Sequence, residues 1–420
     1  MFFALLMACN PKLDLCDCPA GVPGSAVMLE GQCSCLPHLE ATPNPEAAAL
    51  IELSDGEEPD WDAIDAALAD GDVVLRFDPA GSWERLYVRR TDEGPNRLVL
   101  DGGTAGARAK VRGILTPFDE GPRHRVTVRG FEITKSPDKG IFWEAGDDVL
   151  IEDVVIHDNK GSPALNLNYS SRSGWPSSNF TVRNSHIYRN NGECVYIGGS
   201  EGEDRPSHVG LLLENNLIHD CFALVDTKND AINVKDRLVD VVVRRNVVLR
   251  SDWGLEVASQ GLYESNLVID TDREGVQVSD FFQPYGDMVF RDNAVLGAGE
   301  DGFHFSTKKA VASGLLLERN TVIGAGKAGL LVASDAGMEL AVDQFVVVDS
   351  DRAFDGWGEA DLTVGACRTS VADVDFARLF EGLGSCESAA SVDVSAPAGP
   401  DGLFFTADDP WLVEGGAQLR

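Results

Sequence analysis

The sequence predicts an all-β protein built as a solenoid of stacked coils, and three observations predict it. A short apolar stretch ending in a polar residue, usually Asn, recurs down the middle of the chain and is followed each time by a second apolar stretch. The cleanest copies are Leu213-Glu214-Asn215-Asn216-Leu217-Ile218, Val243-Arg244-Arg245-Asn246-Val247-Val248, Tyr263-Glu264-Ser265-Asn266-Leu267-Val268, Phe290-Arg291-Asp292-Asn293-Ala294-Val295 and Leu317-Glu318-Arg319-Asn320-Thr321-Val322. Successive Asn216, Asn246, Asn266, Asn293 and Asn320 lie twenty to thirty positions apart, the period of a solenoid turn rather than of a heptad. Four of the five copies are followed by Gly-apolar-x-apolar, in Gly254-Leu255-Glu256-Val257, Gly275-Val276-Gln277-Val278, Gly302-Phe303-His304-Phe305 and Gly329-Leu330-Leu331-Val332. An apolar period of two means strands.

A strand this short cannot bury its apolar face alone. Stacking coil on coil, about 4.8 Å apart, makes a continuous core. An inward Asn at each corner can place its amide on the turn backbone and on the Asn above and below, satisfying groups that are costly to bury unpaired. Weaker copies run from Val128 to Ile133, Ile151 to Ile156, Val182 to Ile187 and Val342 to Val347. Together they give about nine coils between residues ~125 and ~360.

This pattern resembles the right-handed parallel β-helix proteins of the pectate-lyase-like superfamily, a likeness specific for fold and much less so for activity. A second resemblance lies upstream. Asp62-Ala63-Ile64-Asp65-Ala66-Ala67-Leu68, followed by Val73-Val74-Leu75-Arg76-Phe77 and Pro79-Ala80-Gly81, looks like the capping helix and first strand that open many such solenoids. A cap keeps the end of the core from water and from edge pairing. Asn96 to Gly103 reads as the first full strand and turn.

The expected organisation is a leader over 1–9, a Cys/Pro-rich tether over 10–50, a capped parallel β-helix over 51–361, and a C-terminal cap and tail over 362–420. Leu6-Met7-Ala8-Cys9 resembles the lipobox of bacterial lipoprotein signal peptides, which implies lipidation at Cys9, export, and anchoring at the bacterial outer membrane or cell surface. The run before it lacks the basic n-region of that family. Cys16, Cys18, Cys33 and Cys35 lie in a Gly/Pro-rich segment where either two disulfides or a zinc knuckle fits, and an oxidising compartment favours disulfides. Cys367 and Cys386 are expected to pair in the C-terminal cap. Cys194 and Cys221, on neighbouring coils, are either bonded or merely buried.

With 420 residues, 44% of them apolar, the chain can bury a large core without splitting into domains. Its formal charge of −33 is spread along the length. That acidic surface disfavours nucleic acid and leaves cations and glycans as partners. A monomer touching the membrane only through its lipid is expected.

Stacking the Gly-apolar-x-apolar strands aligns an outward column, Phe142, Asn166, Tyr196, Asn233, Glu256, Gln277 and His304. Two residues on runs a second, with Glu144, Asn168, Gly198, Lys235, Ala258, Ser279 and Ser306. Aromatics, amides and ionisable groups on one strip suit a sugar, which offers hydroxyls to polar partners and a C–H face to rings. The loops after these strands, one carrying Trp175, would wall a groove. Phe142, Asn166, Asn168, Trp175, Tyr196, Asn233, Glu256 and Gln277 are therefore the expected substrate contacts.

The densest polar set surrounds Asn229-Asp230-Ala231-Ile232-Asn233-Val234-Lys235, which looks like a segment of many β-helix carbohydrate enzymes, where an Asp-bearing strand edge meets substrate or calcium. The lyases of that superfamily abstract the proton α to a uronate carboxylate with a Lys or Arg base, assisted by a cation. The resemblance thus nominates Lys235 and Arg237 as catalytic and Asp226, Asp230 and Glu256 as ligands for Ca2+. His304, the one His in the outward column, is a further acid or base candidate. The Trp-Ile-Asp-His strand of pectate lyases, the Asp-Asp pair with Gly-His-Gly of polygalacturonases and the Asp-Pro-His segment of alginate epimerases are all missing, so no single enzyme family carries over. Three readings stand: a glycan-binding surface protein, a calcium-assisted polysaccharide lyase, and a structural rod. Near the end, Gly399-Pro400-Asp401-Gly402-Leu403-Phe404-Phe405 with Asp408-Asp409 resembles a tail common after bacterial β-helix repeats, serving either as a calcium loop or as a plain Asx-rich turn.

Overall fold

The computed structural model describes residues 16–29, 31–43, 46–89, 94–117, 121–167, 177–198, 208–222, 229–235, 238–279, 286–308, 311–371, 386–390, 397–398, 400–401, 403–406 and 409. Strand after strand pairs in parallel with the strand one coil on, giving about ten turns of a β-helix. One wall holds the Gly-apolar-x-apolar strands Trp253–Val257, Val276–Ser279 and Phe303–Thr307 and their equivalents Val195–Ile197 and Asp230–Val234, where Cys194 and Ala231 replace the glycine. A second holds His208–Glu214, Leu238–Arg244, Gly261–Glu264, Gly286–Arg291 and Ala312–Glu318. The third holds Leu217–Phe222, Val247–Ser251, Leu267–Thr271, Ala294–Leu296, Thr321–Ile323 and Phe345–Val348.

The inward positions, such as Ile232, Leu255, Val276, Phe303 and Leu330, are fully or almost fully buried and belong to one continuous apolar core. Burying each such side chain contributes on the order of 2 kcal/mol, which no isolated coil would collect. The recurrent glycine has a steric cause. A Cβ on Gly275 would lie 2.3 Å from Val295 Cγ1, and one on Gly302 would lie 2.5 Å from Val322 Cγ1. The strand corner passes directly over a core valine of the third wall, so only glycine fits.

The corner asparagines form a buried ladder. Asn216, Asn246, Asn266 and Asn293 each donate Nδ2 to Oδ1 of the next, at 2.9, 3.0, 3.0 and 2.9 Å, ending on Asn320. The same amides reach back to carbonyls of the preceding coil, as Asn266 does to Val243 O at 2.8 Å. Backbone N–H groups of Asn216, Asn246, Asn266 and Asn293 donate to the same Oδ1 atoms. Each turn is made by the residue just before its Asn, which takes positive φ in Asn215, Arg245, Ser265, Asp292 and Arg319.

The expected capping helix is present as Trp61–Asp70, with Asp60 accepting from Ala63 N at 3.2 Å and Ile64 and Leu68 buried on the core. The solenoid begins earlier than Asn96, however. Ala49–Leu53 pairs in parallel with Val73–Phe77, which pairs with Leu98–Asp101.

The N-terminal segment is not a free tether over its described part. Gly24–Leu29 and Gln32–Pro37 form an antiparallel hairpin stapled by the disulfides Cys16–Cys33 and Cys18–Cys35. Its Val27, Leu29 and Leu36 cover the outer, apolar face of the third wall at Leu217, Val247, Leu249, Leu267 and Ile269. Beyond it, Leu39 exchanges two hydrogen bonds with the Asn184 amide, and Thr42 donates to Glu152 Oε2. The tail adds Phe404 and Phe405 to the same apolar cover, and Phe404 N donates to Cys35 O. A wall with apolar residues on both faces requires such a cover. Among the described residues of the tail, Asp401 Oδ1 accepts from Leu403 N, and Asp409 Oδ2 from Phe405 N, the hydrogen bonds of Asx-type turns. Cys367 and Cys386 are bonded, as are Cys194 and Cys221. Among the described residues, no helix is long and apolar enough to cross a membrane.

Candidate functional site

The outward column has the register expected from the repeat. Phe142, Asn166, Tyr196, Asn233, Glu256, Gln277 and His304 pair one with the next through seven consecutive strands. It is not uniformly exposed, which corrects the expectation. Phe142, Asn166, Asn233 and Glu256 are 4%, 6%, 1% and 1% accessible, whereas Tyr196, Gln277 and His304 are half-buried. Side chains spaced one coil apart cover one another, and a third column meets them from the side. Asn168, Trp175, Asp226 and Arg237 lie outside the described residues, as does Cys9.

That third column sits three residues before the first. It runs Glu193, Asp230, Trp253, Glu274 and Asp301, and its register is fixed by the strand pairing of Asp230 with Trp253 and by hydrogen bonds such as Cys194 N to Asp230 O and Gly275 N to Asp301 O. Four of its five members are carboxylic acids. The sequence carried this signal in the residue just before each Gly-apolar-x-apolar phrase, and sequence reasoning missed Glu193, Glu274 and Asp301.

Where the two columns meet, one amide gathers three carboxyls. Asn233 Nδ2 lies 3.1 Å from Glu193 Oε1, 2.6 Å from Asp230 Oδ2 and 2.8 Å from Glu256 Oε2. Lys235 Nζ is 3.3 Å from Glu256 Oε2 and 5.7 Å from the centre of the Tyr196 ring. Burial pushes the Asp230 carboxyl well up, and the neighbouring Glu256 and Glu193 push it further. Burial also raises Glu193, with the Glu256 charge adding and Lys235 opposing. Like charges this close cannot all ionise, so protons are kept within the nest.

The sequence placed Asp230 and Glu256 as calcium ligands. The structure does bring them together, but around an amide N–H donor and beside an ammonium. Calcium takes six to eight oxygen ligands, so a donor at the centre of the carboxyls does not fit that assignment. Lys235, nominated as a base, has its amine in an ion pair with Glu256, and a base must have a free lone pair.

Two coils further on lies a second cluster. His304 Nδ1 is 3.2 Å from Glu274 Oε1 and 3.7 Å from Asp301 Oδ2. Glu274 is held below the usual carboxylate range: burial raises it, but the His304 hydrogen bond and charge win. Asp301 is raised, chiefly by burial. Between the clusters, the Arg273 guanidinium stands 4.3 Å over the Trp253 ring.

No curated protein sequence matches this chain at a significant level. Several solved structures superpose on most of it. An alginate lyase from Paenibacillus sp. str. FPU-7 is 16% identical with a TM-score of 0.41, covering 76% of this chain and 99% of its own. The catalytic unit of a GH87 α-1,3-glucanase from Streptomyces thermodiastaticus strain HF3-3 is 12% identical with a TM-score of 0.45, covering 81% and 71%. The A-module of a mannuronan C-5 epimerase from Azotobacter vinelandii is 16% identical with a TM-score of 0.40, covering 76% and 98%. At such identities the likeness is one of fold. Residues 173–345 match the family model described as "Right handed beta helix region", and the chain folds as a right-handed parallel β-helix.

Proposed function

We propose that this protein binds a polysaccharide along the strip from Phe142 to His304 and hydrolyses it at the carboxyl nest around Asn233. The observation that supports the reading is the three-carboxyl arrangement on one amide, with Asp230 and Glu193 pushed toward their protonated forms and Glu256 paired with Lys235. Cleavage of a glycosidic bond by water needs a carboxyl that keeps its proton, to give to the leaving oxygen, and a carboxylate that takes one. The nest supplies both. Glu193 is the proton donor in this reading, since it is the carboxyl of the three that is not fully buried. Asn233 positions it, and the Tyr196 ring beside it offers a face for a sugar.

A lyase is the alternative, and it needs the Lys235–Glu256 ion pair to break before Lys235 takes a proton. Four disulfides among the described residues support work in an oxidising, exported setting. Anchoring through Cys9 belongs to the same proposal.

The test is an assay of neutral and acidic polysaccharides for new reducing ends and for ultraviolet-absorbing unsaturated ends. Hydrolysis yields the first without the second and is lost in Glu193→Gln. Unsaturated ends that vanish in Lys235→Ala would establish the lyase instead. Binding without turnover, weakened in Tyr196→Ala, would leave a glycan-binding protein.

A further inference from the structure

We infer that Glu274, Asp301 and His304 form a binding site for a divalent transition-metal cation of the Zn2+ class. The geometry is the first reason. One ligand atom from each residue lies within 4.8 Å of the others. Two Zn2+ ligands at ~2.1 Å in a tetrahedral shell are about 3.4 Å apart. The separations of His304 Nδ1 from Glu274 Oε1 and Asp301 Oδ2, 3.2 and 3.7 Å, bracket that figure.

Unmet polar capacity is the second, independent reason. Glu274 is 4% accessible, and its Oε2 accepts no hydrogen bond among the described residues. The cation nearest to it, Arg273 Nε, is 3.8 Å away, beyond hydrogen-bond reach, and that side chain is 45% exposed and shared with Glu300. Buried acceptors without donors are costly, and a bound cation removes the cost.

The scaffold is rigid and the site reachable. Glu274 and Asp301 occupy equivalent positions of successive coils, and Ala328 N donates to Asp301 Oδ1 at 3.0 Å, which leaves Oδ2 toward His304. His304 is 17% exposed, so a cation can enter from its side. The donor set decides the class of metal: an imidazole nitrogen with two carboxylates suits Zn2+ or its neighbours, whereas Ca2+ prefers oxygen alone. Three protein ligands leave a fourth position for water or for an oxygen of a ligand.

The inference stands on this cluster and not on the hydrolysis reading, because binding is measured without turnover. Chelator-treated full chain is titrated calorimetrically with ZnCl2 and, separately, with CaCl2. Saturable uptake of one Zn2+ per chain is expected, with affinity at least tenfold above that for Ca2+. His304→Ala and Asp301→Asn should each weaken Zn2+ binding by tenfold or more. Asp301→Asn keeps an acceptor for Ala328 N, so it reports on ligation if the His304 variant is unstable. His157→Gln, on another face, should bind as the parent does. Absence of saturable Zn2+ uptake, equal preference for Ca2+, or unchanged binding in Asp301→Asn overturns the site.

Discussion

Asn233 donates its Nδ2 to Glu193 Oε1 at 3.1 Å, joining residues 40 positions apart in the chain. That one bond ties the corner column to the strand column and brings a partly accessible carboxyl onto a buried pair. Glu193→Gln is therefore expected to lower turnover of a cleaved polysaccharide about 10²- to 10⁴-fold, with little change in KM. Steady-state kinetics on the parent and variant check it.

The same nest gives a pH dependence of stability. Asp230 and Glu193 are both raised in the folded chain. The folded state thus holds their protons more tightly than the unfolded state does. Their contribution is full below the ordinary carboxyl range, at about pH 4, and is lost as pH rises through the raised values. Asp230→Asn should lose less stability than the parent between pH 4 and 8, as measured by urea unfolding across that range.

Histidines on the opposite side act in the other direction. His186 and His219 share a 2.8 Å Nε2 to Nε2 contact, His219 Nδ1 is 2.6 Å from Asp220, and His38 of the N-terminal segment contacts Ser25 and Asp153. Burial lowers all three below their ordinary value of about 6.5. Their contribution is present above pH 6.5 and is lost as pH falls through the depressed values. Tyr188, stacked on His157 and His219, is pushed up to about 12 by burial and stays neutral throughout. Thermal melts at pH 7.5 and 5 should show a drop that is smaller in His186→Gln.

Removing a rung from the Asn ladder should be severe. Asn266→Ala takes from Val243 O its side-chain donor and from Asn246 N its acceptor, and removes one of the three acceptors of Asn246 Nδ2, which keeps Leu213 O and Arg244 O. With each orphaned buried group costing about 1 to 3 kcal/mol, a loss of roughly 3 kcal/mol or more is expected. Urea denaturation measures it directly.

The Cys194–Cys221 bond closes a loop of 27 residues beside Glu193. Loop-closure entropy places its contribution at roughly 3 to 4 kcal/mol. The double variant Cys194→Ala/Cys221→Ala should unfold at correspondingly lower denaturant, and reducing agent should not destabilise it further through this bond.

Much of the fold was legible because the repeat is a local signal. Asn216 to Asn320 mark the corners, Gly254, Gly275 and Gly302 mark the tight approach to the third wall, and the alternation between them supplies the register of Tyr196, Asn233, Glu256 and His304. The start of the solenoid was not legible, since Ala49–Leu53 carries no Asn and no glycine corner. The docking of the Cys-rich hairpin escaped too. Val27, Leu29 and Leu36 read as scattered apolar residues until the outer face of Leu217, Val247 and Leu267 is seen to need a cover.

The sequence by itself determined the coil, its period and which residues share a column, because β-alternation and corner chemistry act between neighbours along the chain. Only the tertiary structure decided how buried each column is and which carboxyls meet. Asn233 joins Glu193, Asp230 and Glu256, and His304 joins Glu274 and Asp301, because stacking places residues twenty to forty positions apart at hydrogen-bond distance. Burial, acidity and the capacity to hold a cation follow from that proximity, and proximity across coils is a property of the stack.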